Sequence, residues 1–386
     1  MIDRKPSQVI AGAVTATSHA SASALRGPID LRGFIQTLDA AGRLVRVRDR
    51  IHWRYEIGRR SRESRAPTLF EDIEGYPGQK IFTNGLSDRG AIALALGLEP
   101  ETSRPALVAE LRRRIVSPLP PLVVETGPVR EAIVRARAVD LLRFPIPWWS
   151  ELDAGRYIGT WHINVTKNPE TGARNVGVYR MQVLSPRTAT VSASAGSDLT
   201  RHVLRAEAER EALPMALAIG VPEAVVMAAA AAYPPGGDQF RDEFELAGAL
   251  RGHPLQLIRC GTVDLEVPAT AEIVVEGFIH PGERAQDGPY LDYCGRTNTN
   301  PEAFVFEATQ MMFRSEPVFR GAAIGIPGAE DHQVFSLLAA LGLLDFHGSQ
   351  WKQRLENALL RRSFFKTMQG AGKLRSRVKA LAGRPQ

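Results

Sequence analysis

The feature that most constrains the fold is a pair of alternating segments, residues 157–167 and 175–184, on either side of a turn sequence at 168–172. Alternation of apolar and polar residues is typical of strands, and Asn168, Pro169 and Gly172 between two such segments predict a hairpin. Because crossover helices are few, the pattern favours a mostly antiparallel barrel or sandwich over a doubly wound parallel sheet. Further strands are predicted at residues 215–220, 254–260, 272–279 and 303–312, with helices at 202–212 and 240–251.

The first part of the chain mixes helical and strand patterns. Apolar residues recur at positions 31, 34, 35 and 38 behind Asp30. This spacing predicts a helix that Asp30 caps and that Gly42 ends. Residues 44–48 alternate as a strand does, and an arginine-rich helix is predicted around 107–116. The prolines within residues 117–150 are typical of a connecting region.

The charge distribution argues against a nucleic-acid partner. The formal net charge of the 386 residues is +6, but the last 36 residues hold ten Lys or Arg and one acid, so residues 1–350 carry −3. A basic surface that reads nucleic acid is therefore not expected in the main fold. With 44% hydrophobic residues, the chain is long enough to bury a large core, and two or three domains are expected.

Cysteine content and hydropathy bear on the location of the protein. Only Cys260 and Cys294 are present, which is too few for a disulfide framework, so a reducing, cytoplasmic location is expected. The longest apolar stretch, residues 224–233, is much shorter than the roughly 20 residues that span a bilayer, and no membrane span is predicted. Residues 1–26 are rich in Ala and Ser and are predicted to be a disordered leader.

Several polar clusters could form a functional site, and the residue types alone allow two interpretations of each cluster. Arg180 in an alternating segment is either a surface charge or a clamp for a carboxylate. Asp287 and Asp292 flank a Gly-Pro pair and are either turn acceptors or paired acids that keep one proton for transfer. Asn175 and Glu243 offer hard oxygen ligands for Mg²⁺ or Mn²⁺, but two oxygens far apart in sequence are a weak metal signal.

Three sequence strings favour the functional interpretation of these clusters. They are residues 175–180 (Asn-Val-Gly-Val-Tyr-Arg), 265–269 (Leu-Glu-Val-Pro-Ala) and 272–277 (Glu-Ile-Val-Val-Glu-Gly). With the opening around Asp30, their succession resembles the UbiD-like family of prenylated-FMN-dependent decarboxylases over about three quarters of the chain. The resemblance implies an α+β fold with three parts after the leader. These are a mixed α/β N-terminal part with a linker (27–150), a central split-barrel-like β domain that binds prenylated FMN (151–320), and a short helical C-terminal remnant with a basic tail (321–386).

The resemblance also implies residue roles. Asn175 and Glu243 match positions that bind a divalent metal, commonly Mn²⁺, with K⁺ as an additional candidate ion. The segment Val178, Tyr179 and Arg180 matches the stretch that lies against the prenylated flavin. The catalytic residues implied by the family's network of one arginine and two acids are Arg180, Asp287 and Asp292, with Asp at 287 where many members have Glu.

Two departures from the family pattern stand out. Residues 192–198 replace a run that commonly contacts the cofactor, and Gly196 falls where a metal-binding histidine is usual. Here Ser192, Ser194 and Ser197 are predicted to give hydroxyl or backbone N–H groups to the cofactor phosphate. His202 is predicted to be a partly exposed helical histidine and not a replacement ligand. Relatives usually continue past the segment that matches 328–332 into an oligomerisation domain, so a truncated, a frameshifted and a specialised member are all compatible with this chain.

The function implied is reversible, non-oxidative decarboxylation of an aromatic or α,β-unsaturated carboxylic acid. In this hypothesis Arg180 orients the substrate, Asp292 delivers the proton that replaces CO2, and Asp287 tunes both. The alternative is an inactive or truncated member that acts as a flavin-binding scaffold or as one subunit of a multi-chain carboxylase or decarboxylase. A homo-oligomer or a partner subunit is therefore expected. Residues 333–347 are predicted to pack on the body.

Overall fold

The computed structural model describes residues 27–231, 242–326 and 328–344. The predictions for the leader, for the basic tail and for residues 345–347 lie outside these residues. In the described ranges no helix is both long and apolar enough to cross a bilayer. The α-helices are α1 (Leu31–Ala40), α2 (Glu56–Ser64), α3 (Arg89–Ala95), α4 (Arg104–Ile115), α5 (Asp198–Ala208), α6 (Glu223–Ala229), α7 (Glu243–Arg251) and α8 (Glu330–Leu341).

Most strands are short, and two long ones dominate the second half of the chain. The strands are β1 (Val45–Val47), β2 (Thr68–Phe70), β3 (Lys80–Thr83), β4 (Leu122–Val123), β5 (Ala132–Arg135), β6 (Tyr157–Gly159), β7 (His162–Lys167), β8 (Arg174–Gly177), β9 (Met181–Gln182), β10 (Thr188–Val191), β11 (Leu213–Ile219), β12 (Gln256–Arg259), β13 (Glu266–Pro268), β14 (Ile273–Leu291), β15 (Thr297–Phe313) and β16 (Val318–Arg320).

The central sheet is antiparallel throughout. Its strands run in the order β10-β15-β14-β11-β7-β8, and β5 also pairs with β15. Irregular pairing along β14 and β15, with register shifts after Glu276 and Ile279, accompanies the curl of the sheet into a half-barrel. The predicted α+β class with a split-barrel-like β domain is therefore confirmed.

Both faces of the central sheet are buried, which explains the continuous apolar run of β11. Ala216 and Ala218 face a core that helices α1, α3, α4, α6, α7 and α8 cover, whereas Met215, Leu217 and Ile219 face a second core that includes α5. A strand with helices or other layers on both sides reads as apolar at every position. The described part of the segment predicted to dock, up to Leu344, belongs to the first core through α8.

Two smaller sheets join residues on both sides of position 150. In the order β1-β2-β3-β16, strand β16 pairs in parallel with β3, and in the order β13-β12-β4, strand β4 pairs in parallel with β12. The domain limits at 26, 150 and 320 stay a prediction.

The hairpin that the sequence predicted is present but shorter. Lys167 pairs with Arg174, and Gly172, at φ +69°, donates its N–H to Asn168 O over 2.8 Å. The predicted strand 157–167 is interrupted between β6 and β7, and 175–184 is interrupted between β8 and β9, which pairs with β6 in a separate two-stranded sheet. Residues 178–180 therefore leave the central sheet, and this is where the site forms.

Helix positions agree with the sequence in most places. Asp30 caps α1 by accepting the N–H of Gly33 over 2.8 Å, and the helix ends before Gly42 as expected. The helix predicted at 202–212 begins earlier, at Asp198, because Ser197 caps it by accepting the Thr200 N–H.

Candidate active site

A cavity of about 900 Å³ opens beside the segment that leaves the central sheet. Its wall is built from residues 177–180, from the end of β10, from the turn between β14 and β15, and from α6 and α8. Apolar residues of α6 and α8, among them Val226 and Val334, form one part of the lining. The cavity therefore combines polar groups on strand ends with an apolar helical wall.

Two buried polar side chains of β7 hold the segment at 178–180 in place. Asn164 Oδ1 accepts the N–H of Tyr179 over 3.2 Å, and His162 Nε2 lies 2.9 Å from that oxygen and 3.0 Å from Tyr179 O. Burial lowers the pKa of His162 to about 4, so the ring is neutral. Because both neighbours of Nε2 are acceptors, this nitrogen carries the proton and donates. The sequence analysis missed both residues.

The ring of Tyr179 folds back over Gly177. A Cβ atom at Gly177 would lie 2.5–2.6 Å from that ring, so only glycine fits without displacing it. The phenol lies beside the side chain of Asn175 and the backbone N–H of Leu199 in the first turn of α5, and burial raises its pKa. Tyr179 therefore links the segment at 178–180 to the start of α5.

The structure brings Asn175 and Glu243, the two predicted metal ligands, to the same corner. Asn175 lies on β8, and Glu243, the first residue of α7, accepts the N–H of Val176 over 2.9 Å. Burial raises the pKa of Glu243 to about 7. Asn175 Nδ2 has no hydrogen-bond partner in the described part of the chain. Among residues 27–231, 242–326 and 328–344, no group of three or more His, Cys, Asp or Glu could hold a metal ion.

The environment of His202 corrects one prediction. Its side chain is buried, not partly exposed, and Nδ1 lies 3.0 Å from Thr166 Oγ1 on β7. The reason is helical spacing, because His202 lies three or four residues from Leu199 and Ala206 and shares the buried face of α5 with them. Gly196, at the position of the usual histidine, is exposed in the loop before this helix.

Arg180 and Asp287 form a direct pair. Arg180 Nε donates to Asp287 Oδ1 over 2.6 Å, and the other carboxylate oxygen accepts the hydroxyl of Thr190 over 2.6 Å. The guanidinium carbon also lies 5.2 Å from the centre of the Tyr290 ring, in cation–π contact. Both partners of Asp287 hold its carboxylate, so Arg180 is fixed against the wall of the cavity.

Asp292 reaches the same cavity from the turn after β14. Its Oδ1 accepts the N–H of Cys294 over 2.8 Å, and its carbonyl oxygen accepts the N–H of Gly295. Arg180 and Asp287 are thus in direct contact, and Asp292 lines the cavity while its own turn holds it.

The remaining predicted cofactor residues lie in different settings. Val178, Ser192 and Ser194 line the cavity. The N–H of Ser192 donates to Arg180 O over 3.0 Å, which ties the end of β10 to the site. Ser197 instead caps α5.

Two acids that the sequence analysis missed lie near the cavity. Asp331 of α8 is part of its lining. Asp153 does not line the cavity. Its Oδ1 accepts the N–H of Leu291, the residue before Asp292, over 2.7 Å. The Asp331-His332 pair was visible in the sequence as the end of the family resemblance, but no spacing rule connects residues 153 and 331 with the strings around 180 and 287.

Comparisons with known proteins show which family the chain belongs to. Residues 122–327 match the family profile described as UbiD, 3-octaprenyl-4-hydroxybenzoate carboxy-lyase Rift-related domain, and residues 35–111 match the N-terminal domain of the same carboxy-lyases. The chain is 34% identical over 341 residues to a pyrrole-2-carboxylic acid decarboxylase of Pseudomonas aeruginosa, covering 83% of this chain and 66% of that protein. It is 31% identical over 313 residues to a phenolic acid decarboxylase of a Streptomyces species, covering 78% and 65%.

Solved structures of similar fold include two enzymes at 30% identity or more. An evolved dimeric form of the UbiD-class enzyme HmfF from Pelotomaculum thermopropionicum, in complex with prFMN, is 33% identical with a TM-score of 0.72, over 81% of this chain and 70% of that one. The vanillic acid decarboxylase of Sedimentibacter hydroxybenzoicus is 30% identical with a TM-score of 0.75, over 80% and 66%. This chain spans about two thirds of the length of the curated relatives. The profile matches and the identities together place it in the UbiD family of carboxy-lyases.

Proposed function

We propose that the protein catalyses the reversible, non-oxidative decarboxylation of an aromatic or α,β-unsaturated carboxylic acid with prenylated FMN. The observation that carries the proposal is the fixed Arg180–Asp287 pair beside Asp292 on the wall of one cavity. A cavity of about 900 Å³ is large enough for a flavin and a small acid together. Its apolar helical wall suits a flat, unsaturated substrate.

The residues present fit the cofactor. Val178, Tyr179 and Arg180 would lie against the flavin, and Ser192 and Ser194 offer polar groups within the same cavity. When bound, prenylated FMN would accept the electron pair that loss of CO2 leaves on carbon, which side chains cannot do. Ser197, the cap of α5, would offer a hydroxyl or backbone N–H group to the cofactor phosphate at the start of that helix.

The metal proposal rests on the corner formed by Asn175 and Glu243. A cation would stabilise the charged form of the buried Glu243 carboxylate, whose pKa burial raises to about 7, and Asn175 lies at the same corner. The side-chain oxygens of these two residues would hold Mn²⁺, which would supply positive charge for the cofactor phosphate. K⁺ as an additional ion stays a prediction.

The surroundings of the three site residues support the roles proposed for them. Arg180, held by Asp287 and by the Tyr290 ring, presents a fixed positive charge that can orient the substrate carboxylate. Asp292 is the acid that delivers a proton to the carbon that loses CO2, and in the reverse direction it removes that proton. Asp287 keeps the guanidinium in place and balances its charge.

The test uses protein produced with and without a supply of prenylated FMN. Absorbance and metal analysis report loading, and turnover is followed by CO2 release from pyrrole-2-carboxylic acid, vanillic acid and cinnamic acid. We expect Asp292→Asn to lower kcat about 100-fold or more and Arg180→Ala to do the same, with cofactor content measured for each. Arg46→Ala, on β1, is the control and should keep full activity. Full turnover in Asp292→Asn would refute the assignment.

A second candidate is a flavin-binding scaffold or one subunit of a multi-chain enzyme. It is favoured by a structural neighbour, the vanillic acid decarboxylase of S. hydroxybenzoicus, which is described with a second chain. Bound cofactor without turnover on any acid would support this candidate. A cytoplasmic location and a homo-oligomer or partner subunit belong to the same proposal.

A further inference from the structure

Asp331 is a buried acid of the cavity wall whose carboxylate is not paired with another side chain at hydrogen-bond distance among the described residues. It is the second residue of α8, it is 6% exposed, and it lines the cavity. In the described part of the chain neither carboxylate oxygen has a hydrogen-bond partner of normal geometry, although the backbone N–H groups of Asp331 and His332 lie nearby. The Nδ1 atom of the neighbouring His332 lies 3.5 Å from Asp331 Oδ1, beyond a normal hydrogen bond.

This arrangement is costly, and the protein cannot relieve it by moving the helix. An unpaired buried polar group costs about 1–3 kcal/mol, and a charged one more. The preceding residue, Glu330, fixes the start of α8 because its oxygens accept the N–H groups of Asn84 and Leu86 and pair with Arg320. Asp331 is therefore held at the cavity by a rigid neighbour, and a donor that satisfies it can come from the cavity.

We propose that Asp331 determines substrate specificity by accepting a hydrogen bond from an N–H or O–H group on the ring of the substrate. The substrate class is then an aromatic carboxylic acid that carries a donor on its ring. This inference rests on the proposed function and narrows it. The apolar neighbours Val334 and Phe335 line the same wall and suit the faces of a flat ring.

The expected selectivity follows from the unpaired Asp331 carboxylate that remains when a substrate without the donor is bound. Binding such an acid closes the cavity over an unpaired carboxylate, whereas a donor-bearing acid satisfies it. Sites built to hydrogen-bond a substrate N–H or O–H reject analogues that lack it by large factors. A ring oxygen in place of the N–H would also direct its lone pairs at the Asp331 carboxylate, which repels them.

The experiment compares acids that differ only in this donor. Pyrrole-2-carboxylic acid is paired with furan-2-carboxylic acid, and 4-hydroxybenzoic acid with benzoic acid. Dissociation constants come from calorimetry on the cofactor-loaded protein, and kcat/KM from CO2 release. In the wild type we expect the donor-bearing acid of at least one pair to bind ten times more tightly or better. In Asp331→Leu that ratio should fall to within twofold of one.

Two further variants serve as controls. Asp331→Asn keeps an acceptor oxygen and should retain part of the preference. Asp153→Asn removes another buried carboxylate near the site but keeps the acceptor for Leu291, and should leave the ratio unchanged. Absence of a preference in both pairs, or a preference that persists in Asp331→Leu, would overturn the inference. Selective binding without turnover would refute the proposed function and leave this inference standing, and turnover without selectivity would do the reverse.

Discussion

Burial raises the pKa of several acids at or near the cavity, Asp287 among them, and the increase is large for three others. The values are about 6 for Asp153, about 7 for Glu243 and about 6 for Asp331. Burial is the largest cause for all three, since a carboxylate loses its hydration when it leaves water. Near neutral pH, ionisation of these acids therefore lowers the free energy of unfolding.

Asp153 gives a direct test of this destabilisation. Its carboxyl has a pKa near 3.9 in an unfolded chain, so the folded state prefers the protonated form. The penalty is present above pH 6 and disappears as the pH falls toward 4. Asp153→Asn keeps the bond to the Leu291 N–H and removes the charge. We expect it to raise the free energy of unfolding at pH 8 by about 1–3 kcal/mol.

Guanidinium unfolding at pH 8, 6 and 5 measures the difference between wild type and Asp153→Asn, which should shrink as the pH falls. Asp264→Asn is the matched control, because the Asp264 side chain is 93% exposed, and it should change little at any pH. A stabilisation that does not depend on pH would show that the charge of Asp153 is not its cause.

At the scale of elements, the most informative feature is the pair of interruptions that separate β6 from β7 and β8 from β9. The strand pattern predicted the hairpin but not these breaks. They depend on ring packing over glycines: the His162 ring lies 2.7 Å from where a Cβ of Gly159 would be, and Tyr179 covers Gly177 in the same way. Alternation reports which face a residue takes, and it carries no information about a side chain that folds back over its own strand.

Gly177→Ala tests this packing. The new methyl group would collide with the ring of Tyr179, so we expect a loss of about 1–3 kcal/mol in the free energy of unfolding. In a Tyr179→Ala background the same change should cost much less, because the colliding ring is gone. Denaturant unfolding of the four proteins gives the coupling energy.

Gly196→Ala is the control for this cycle. Gly196 has no atom within 4 Å of a built Cβ and does not adopt a positive φ, so alanine should be tolerated there. Equal losses for Gly177→Ala with and without the Tyr179 ring would contradict the packing account.

At the scale of the whole molecule, a buried ion cluster ties distant parts of the chain together. Arg320 Nε donates to Glu223 Oε1 over 2.8 Å, and its Nη1 donates to Glu330 Oε1 over 3.0 Å. Glu223 also accepts the indole N–H of Trp161. The sequence could not predict this cluster, because its members are spread over residues 161–330 and each alone resembles an ordinary surface charge.

Removing the arginine should be severe. Arg320→Met leaves two buried carboxylates without their cation, and we expect a loss of about 3–5 kcal/mol in the free energy of unfolding. Adding Glu223→Gln and Glu330→Gln should recover part of it, since the uncompensated charges are then gone. Arg187→Met, in a half-exposed pair with Glu307, should lose less than about 1 kcal/mol. A loss of that size for Arg320→Met as well would mean that the cluster does not stabilise the fold.

The parallel pairing of β16 with β3 also sets an order of events during synthesis. Lys80 leaves the ribosome about 240 residues before Val318, its partner in the register. At about 5–20 residues per second, the edge of β3 stays open for roughly 10–50 s. During that time a row of unpaired backbone groups is available to other chains. The sheet that begins the protein is therefore completed only after most of the protein has been made.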